Sequence, residues 1–396
     1  MIATHPCDNV QSLFPAQHSV LPGFKRSPFH DSILQIVSET GESLISSSST
    51  KPFVSSHPSF FHLLGPSASV RVLASRPGTC FAHEAGVYTD GSVWFTSNLI
   101  RDGGDVRVDV STVDLKTGRV EVKDVGVVTG NGACPYGDRI LFCDQGSKSS
   151  PSSLTLVDPL NGESEVILNN FLGRPFNSLN DVIVLPPRGQ PQCFGREVPE
   201  ESTVWFTDPP YGHEQGFKPD LQLPPSVYVF HPSSGEIRVV ADNFHHPNGI
   251  AFSPNGERCY ITDTSHIRGC GRLNPGLEST IYEFDVSWPD GGFDDGLPSL
   301  TNRRVFAFAD CGVPDAVKCD TLGNVYSGCG DGVHVWNRHG RLLGRIILGL
   351  ADDNVGAGCA NFCFVPGGRL VCFSEDRIYL VEGLNVSGAL LNPKTS

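Results

Sequence analysis

Short apolar and aromatic runs, separated by clusters of Gly, Pro, Asn and Asp, dominate the chain from Ala68 onward, and no 3.6-residue apolar period persists for long anywhere. That texture predicts strands rather than helices, hence an all-β fold. The runs recur in a fixed order. Each repeat opens on an oxygen-bearing residue ahead of an apolar run: Ala82-His83-Glu84-Ala85, Gly130-Asn131-Gly132, Leu179-Asn180-Asp181-Val182, Pro247-Asn248-Gly249-Ile250, Pro314-Asp315-Ala316-Val317 and Cys359-Ala360-Asn361-Phe362. Next comes a turn and a strand ending in small or acidic residues, as in Asp90-Gly91-Ser92-Val93-Trp94-Phe95-Thr96 and Ser202-Thr203-Val204-Trp205-Phe206-Thr207-Asp208. A third run such as Val227-Tyr228-Val229-Phe230 follows. Most copies then continue through a Gly turn into a fourth, as at Gly235-Glu236-Ile237-Arg238-Val239-Val240.

Four strands per repeat of about 45 to 65 residues make a propeller blade, so the expected architecture is a six-bladed β-propeller over residues 68–396. A β-sandwich does not account for sixfold recurrence in register. The sixth copy has no room for a fourth strand before Ser396. The alternating run Ser69-Val70-Arg71-Val72-Leu73-Ala74 is expected to supply it, closing the ring and removing a free edge. Residues 1–67 read as a partly irregular extension that wraps the propeller; only Ser32-Ile33-Leu34-Gln35-Ile36-Val37 looks strand-like there, and Ser46 to Ser49 is an unbroken serine tract.

A formal charge of -14 with no dense Lys/Arg stripe excludes a nucleic-acid footprint. No apolar run is long enough to span a membrane, and Met1-Ile2-Ala3-Thr4-His5-Pro6-Cys7 lacks the basic and apolar regions of a secretory signal. The expectation is a cytoplasmic protein, or a secreted one if a signal has been removed, in which case the sequon Asn385-Val386-Ser387 gains meaning. The 13 cysteines fall mainly inside strand-like runs and are expected to be buried thiols rather than a disulfide framework.

In a propeller the inner strands lie side by side around one channel, so equivalent positions near their starts form a ring at one mouth. Glu84, Asn131, Asn180, Asn248 and Asp315 are therefore expected to point toward a single axis; Asn361 is set aside because bulky Phe362 follows it. Converging carbonyl and carboxylate oxygens suit a hard divalent cation, Ca²⁺ first, with Mg²⁺, Mn²⁺ or Zn²⁺ as less natural fits. Such an ion can polarise a carbonyl and acidify water, and Asp315 is the candidate general base. His83, His245 and His246 adjoin the ring as candidates for orienting substrate, although lone histidines are more often structural. Other hydrolytic routes are poorly supported. There is no Gly-x-Ser-x-Gly elbow, neither His83-Glu84 nor His213-Glu214 continues to zincin spacing, and Gly328-Cys329-Gly330-Asp331-Gly332 reads as a turn between strands.

At these residues the chain resembles the senescence marker protein, gluconolactonase and luciferin-regenerating-enzyme family, and looks closest to the fungal lactonohydrolases that open aldonolactones and pantolactone. The matching segments include His83-Glu84-Ala85, Phe176-Asn177-Ser178-Leu179-Asn180-Asp181-Val182, Tyr211-Gly212, Pro247-Asn248-Gly249-Ile250 and Gly328-Cys329-Gly330-Asp331-Gly332-Val333-His334-Val335-Trp336-Asn337. The resemblance implies a propeller with one catalytic divalent ion held by Glu84, Asn180, Asn248 and Asp315. It makes Asp315 the acid/base and places Asn131 beside the metal. Asp144, standing where the nearest lactonohydrolases carry Glu, counts with Asn131, His83 and His246 among the expected substrate contacts. Ala316 in place of the family's Gly, and Lys318 in place of His, are expected to act on substrate choice. The leading expectation is a metal-dependent lactonase acting on a small molecule. The alternatives are a propeller-fold cyclase or pericyclase of a fungal natural-product pathway, in the sphere of secondary metabolism, and a non-catalytic interaction propeller.

Overall fold

The computed structural model describes residues 9–12, 51–102, 105–192, 197–290, 292–349 and 357–391. Six antiparallel sheets of four strands carry the chain as the blades of a β-propeller. Their inner strands are Glu84–Thr89, Gly130–Tyr136, Val182–Leu185, Pro247–Phe252, Val317–Cys319 and Asn361–Val365, which lie side by side around the channel except between the fifth and sixth blades, where Val325–Cys329 meets Asn361–Val365. The second strands follow by tight turns, for example Ser92–Thr96, Thr203–Asp208 and Arg258–Asp263. Every residue of Thr203–Asp208 and Ser226–His231 is buried. A blade packed on both faces has no solvent side, which is why these strands read as continuous apolar runs instead of alternating ones.

The last blade closes as expected. Its outermost strand is Leu64–Ser75, paired antiparallel with Arg377–Leu384 from Ser69 opposite Glu382 to Ser75 opposite Arg377. The core between blades is aromatic: Phe206 stacks on Tyr228 at 5.3 Å, and Phe95 of the first blade stacks on Phe373 of the sixth at 5.3 Å, so the closure seam is as well packed as a blade interior.

The fifth blade is widened from its outer edge. Phe53–Ser55 pairs antiparallel with Leu342–Ile347, and Val10–Ser12 pairs in parallel with Phe53–Ser55. Phe53, Phe60 and Leu63 are buried in the cluster that also holds Val335 and Ile346. The run Ser32–Val37 and the serine tract Ser46–Ser49 lie outside the described residues. Every described cysteine is a free thiol, and all but Cys80 and Cys270 are buried. Among the described residues no helix is long and apolar enough to cross a membrane.

Candidate metal centre

The sequence places each ring residue at the start of an inner strand, and local backbone features turn it inward. Register shifts interrupt pairing between Ala85 and Val87, between Gly130 and Ala133, and between Pro247 and Ile250. Such bulges re-aim a side chain at a sheet's rim. Threonines at the ends of the second strands then hold the ring residues of the next blade by their carbonyls. Thr96 donates to Asn131 O at 3.2 Å, Thr207 to Asn248 O at 2.7 Å and Thr262 to Asp315 O at 3.0 Å. Close approach explains the glycines: a β-carbon on Gly249 would stand 2.5 Å from Asp315 O, and one on Gly132 2.5 Å from Asn180 O.

Glu84, Asn131, Asn180, Asn248 and Asp315 all line one cavity of about 430 Å³ at this end of the channel. The Oδ1 atoms of Asn131, Asn180 and Asp315 are buried there without a hydrogen-bond partner. An unsatisfied buried acceptor ordinarily costs about 1–3 kcal/mol, so three from separate blades meeting in one cavity point to a missing partner. The charges agree. Burial raises the Asp315 carboxyl well above its ordinary pKa and nearby Glu84 raises it further; Glu84 is itself raised, first by burial. Oxygen donors only, two of them acids in want of a counter-charge, fit a divalent cation.

Asn361, set aside on sequence grounds, is part of this arrangement. Its Nδ2 donates to Glu84 Oε2 at 2.7 Å, and its Oδ1 accepts from Phe362 N at 2.7 Å, which fixes the amide's direction. The bulk of Phe362 does not displace it, because that ring is buried in the hydrophobic cluster behind. Two further residues were given no site role on sequence grounds, although Tyr211 stands in a segment that matches the family. Tyr211, on the short helix Tyr211–Glu214, lines the cavity; its hydroxyl accepts from Asn248 Nδ2 at 3.2 Å and is hydrogen-bonded to Thr264 Oγ1. Glu375 lies 2.6 Å from His83 Nδ1 and accepts from Asn98. Burial works against a charged His83, but Glu375 outweighs it and pushes the imidazole pKa up to about 10.

The other expected contacts divide. His83 lines the cavity, whereas His246 and Asp144 do not. His246 is buried behind Tyr211, with Nε2 3.0 Å from Glu214 Oε2. Both oxygens of Asp144 are occupied within its own blade, by Thr129 N and Oγ1, Gly146 N and Val128 N. Asp208 holds Asn177 N and Ser178 N, and Asp263 holds His245 N and His246 N, in the same manner. The acid ending the second strand is thus a recurrent loop lock, which corrects the reading of Asp144 as a substrate contact. His245, Asp263 and Glu278 bring three possible ligand atoms within 4.8 Å of one another outside the cavity, but the Asp263 oxygens are already engaged as described. Ala316 and Lys318 also stand away from the cavity: the Ala316 methyl packs with Phe362 and Cys359, and Lys318 lines the channel further along the inner strands.

Comparison with known proteins gives the family. The profile described as the SMP-30/Gluconolactonase/LRE-like region matches residues 105–369, and the chain belongs to that family. It is 28% identical over 218 residues to lactonohydrolase oryL of Aspergillus oryzae, covering 51% of this chain and 44% of that protein. It is 26% identical over 243 residues to the gluconolactonase of Zymomonas mobilis, covering 60% of this chain and 57% of that one. The chain thus spans about half the length of these curated relatives. Its fold is similar to that of a gluconolactonase from Xanthomonas campestris, with a TM-score of 0.63 and 25% identity, covering 85% of this chain and 96% of that one.

Proposed function

We propose that the protein hydrolyses a sugar-type or other small-molecule lactone, with Asp315 as general base and a divalent cation, calcium first, held by Glu84, Asn180, Asn248 and Asp315. The observation that carries the reading is the meeting of unpaired buried oxygens and the Glu84 and Asp315 carboxyls in one cavity of a chain from this family. When bound, such an ion polarises a carbonyl and makes water more acidic. The chain's own residues supply the rest. Asp315 takes the proton of the attacking water and returns it to the ring oxygen as the acyl C–O bond breaks, releasing a hydroxy acid. Asn131 and Tyr211 orient the ring, and His83, kept cationic by Glu375, faces the carboxylate that forms. The test is hydrolysis of a lactone panel before and after chelation. Activity should vanish with chelator and return with Ca²⁺; lactone opening that survives complete chelation would end the cation reading.

Two predictions follow from the buried acids. Protons compete with the cation for Glu84 and Asp315, whose pKa values are raised, so Ca²⁺ affinity should climb from mildly acid to neutral pH. The stability of the cation-free protein moves the opposite way. A raised carboxyl pKa contributes stability that is full below the ordinary carboxylate range and is lost as pH rises through the folded value. The rise in melting temperature on adding Ca²⁺ should therefore grow with pH; a shift that shrinks with pH would contradict the assignment. The Asn361→Ala substitution, which removes the hydrogen bond orienting Glu84, should weaken Ca²⁺ binding by about tenfold or more in calorimetric titration. Unchanged affinity would show that Asn361 does not position the ligand.

A further inference from the structure

We infer that the lactone ring of the substrate carries an apolar substituent, and that this substituent occupies a second recess beside the carboxylate cage; the inference rests on the lactonase reading above. The cage cavity continues past Asp315 into a recess of about 350 Å³. His83, Ile267, Val313, Asp315 and Glu375 line both compartments, so a ring with its carbonyl over the cage has its substituent within reach of the recess.

The compartments differ in chemistry. The cage side presents unpaired acceptors from Asn131 and Asn180. The recess is walled by Val313, Ala357, Cys359 and Ala360, with the backbone of Gly330 and Gly358 between them. Of the polar groups along its edge, Glu375 is engaged by His83 and Asn98 and Asp376 by Arg377, which leaves the Ser374 hydroxyl and the Asp315 carboxyl shared with the cage. The Cys359 thiol donates to Asn361 O at 3.3 Å. The walls at Val313, Ala357 and Ala360 are half-exposed apolar surface, so an alkyl arm lying on them covers that surface, whereas a hydroxylated arm gives up part of its hydration there for few replacements. The recess therefore selects against a polyhydroxylated aldonolactone and in favour of the same ring bearing a hydrocarbon chain.

The experiment is steady-state hydrolysis by the full chain with saturating Ca²⁺. The substrates are δ-lactones alkylated next to the ring oxygen in increasing chain length, with glucono-δ-lactone as the polyhydroxylated reference. The kcat/KM should rise about fourfold per added methylene until the recess is full, and the aldonolactone should fall below the shortest alkyl member. A β-carbon on Gly358 would meet Cys329 O and Gly330 O at 3.6 Å and Gly330 Cα at 3.7 Å, ordinary van der Waals contacts, so Gly358→Leu can fill the recess. That variant should keep hydrolysis of the unsubstituted ring while losing the chain-length gain. A flat chain-length series, a preference for the aldonolactone, or a gain that persists in folded Gly358→Leu overturns the inference and leaves the lactonase reading standing. Failure to open any lactone with cation present overturns both. Should Gly358→Leu not fold, the chain-length series on the unaltered protein still decides.

Discussion

Asp315→Asn lowers kcat for lactone hydrolysis by about a thousandfold, within the range that loss of a general base produces, and leaves the cation-free protein at least as stable as before. The two effects have one origin. Asp315 is half-buried with its Oδ1 enclosed, and desolvation and Glu84 both oppose its ionisation, so a neutral amide of the same shape removes a repulsion. Its backbone attachments, Asp315 N to Gly328 O at 2.9 Å and Asp315 O from Thr262 Oγ1 at 3.0 Å, do not depend on the carboxylate. The amide cannot take a proton from water. Single-turnover kinetics and thermal melting without cation measure the two sides separately. Hydrolysis near the unaltered rate would remove Asp315 from the role of base, and a large fall in melting temperature would mean that the lost activity reports damage to the ring.

Much of the architecture was legible because a propeller repeats its physics. Each inner strand needs a residue facing the channel at the same offset, so Glu84, Asn131, Asn180, Asn248 and Asp315 announced themselves by position before any one was persuasive alone. The closing strand was legible for a related reason: a fourth-strand pattern stood at Ser69 to Ala74, and a vacancy for it stood after Val381. The residues that were missed come from elements with no sixfold counterpart. Glu375 sits in a hairpin turn at φ 58°, and Tyr211 on a four-residue helix in an irregular loop. Asn361 carried the right signal but was discounted for its neighbour's bulk, since the sequence does not say which way Phe362 packs. Asp144 failed differently. A carboxylate is identifiable from sequence, but which N–H groups occupy its lone pairs depends on loop geometry. Only the threefold recurrence of Asp144, Asp208 and Asp263 at one strand position hinted at a shared structural duty.

The segment Gly328 to Asn337 matched the family strongly yet lies outside the proposed ligand set, and its burial pattern predicts a large stability effect. Asp331 is fully buried, with Oδ1 2.7 Å from His334 Nε2 and Oδ2 3.5 Å from Arg345 Nη1; Arg345 in turn reaches Asp310 at 2.7 Å. Burial opposes ionisation of Asp331, but His334 and Arg345 outweigh it and hold its carboxyl below the usual range. Removing one partner of a buried charged network leaves the others desolvated without compensation, so Asp331→Ala should cost about 3–5 kcal/mol in denaturant unfolding. Asp310→Ala, at the exposed end of the same chain of contacts, should cost about 1 kcal/mol or less. The acid side distinguishes this from simple loss of packing. A depressed carboxyl contributes stability that is present above its ordinary pKa and is lost as pH falls through the folded value. The difference between unaltered protein and Asp331→Ala should therefore narrow under strong acid. The network also bears on the metal centre, because Gly330 N donates to Cys311 O at 2.9 Å and fastens the loop that leads into Asp315. Asp331→Ala should accordingly weaken Ca²⁺ binding although it touches no ligand. An equal loss of stability at all pH values, with cation affinity unchanged, would reduce the segment to ordinary core.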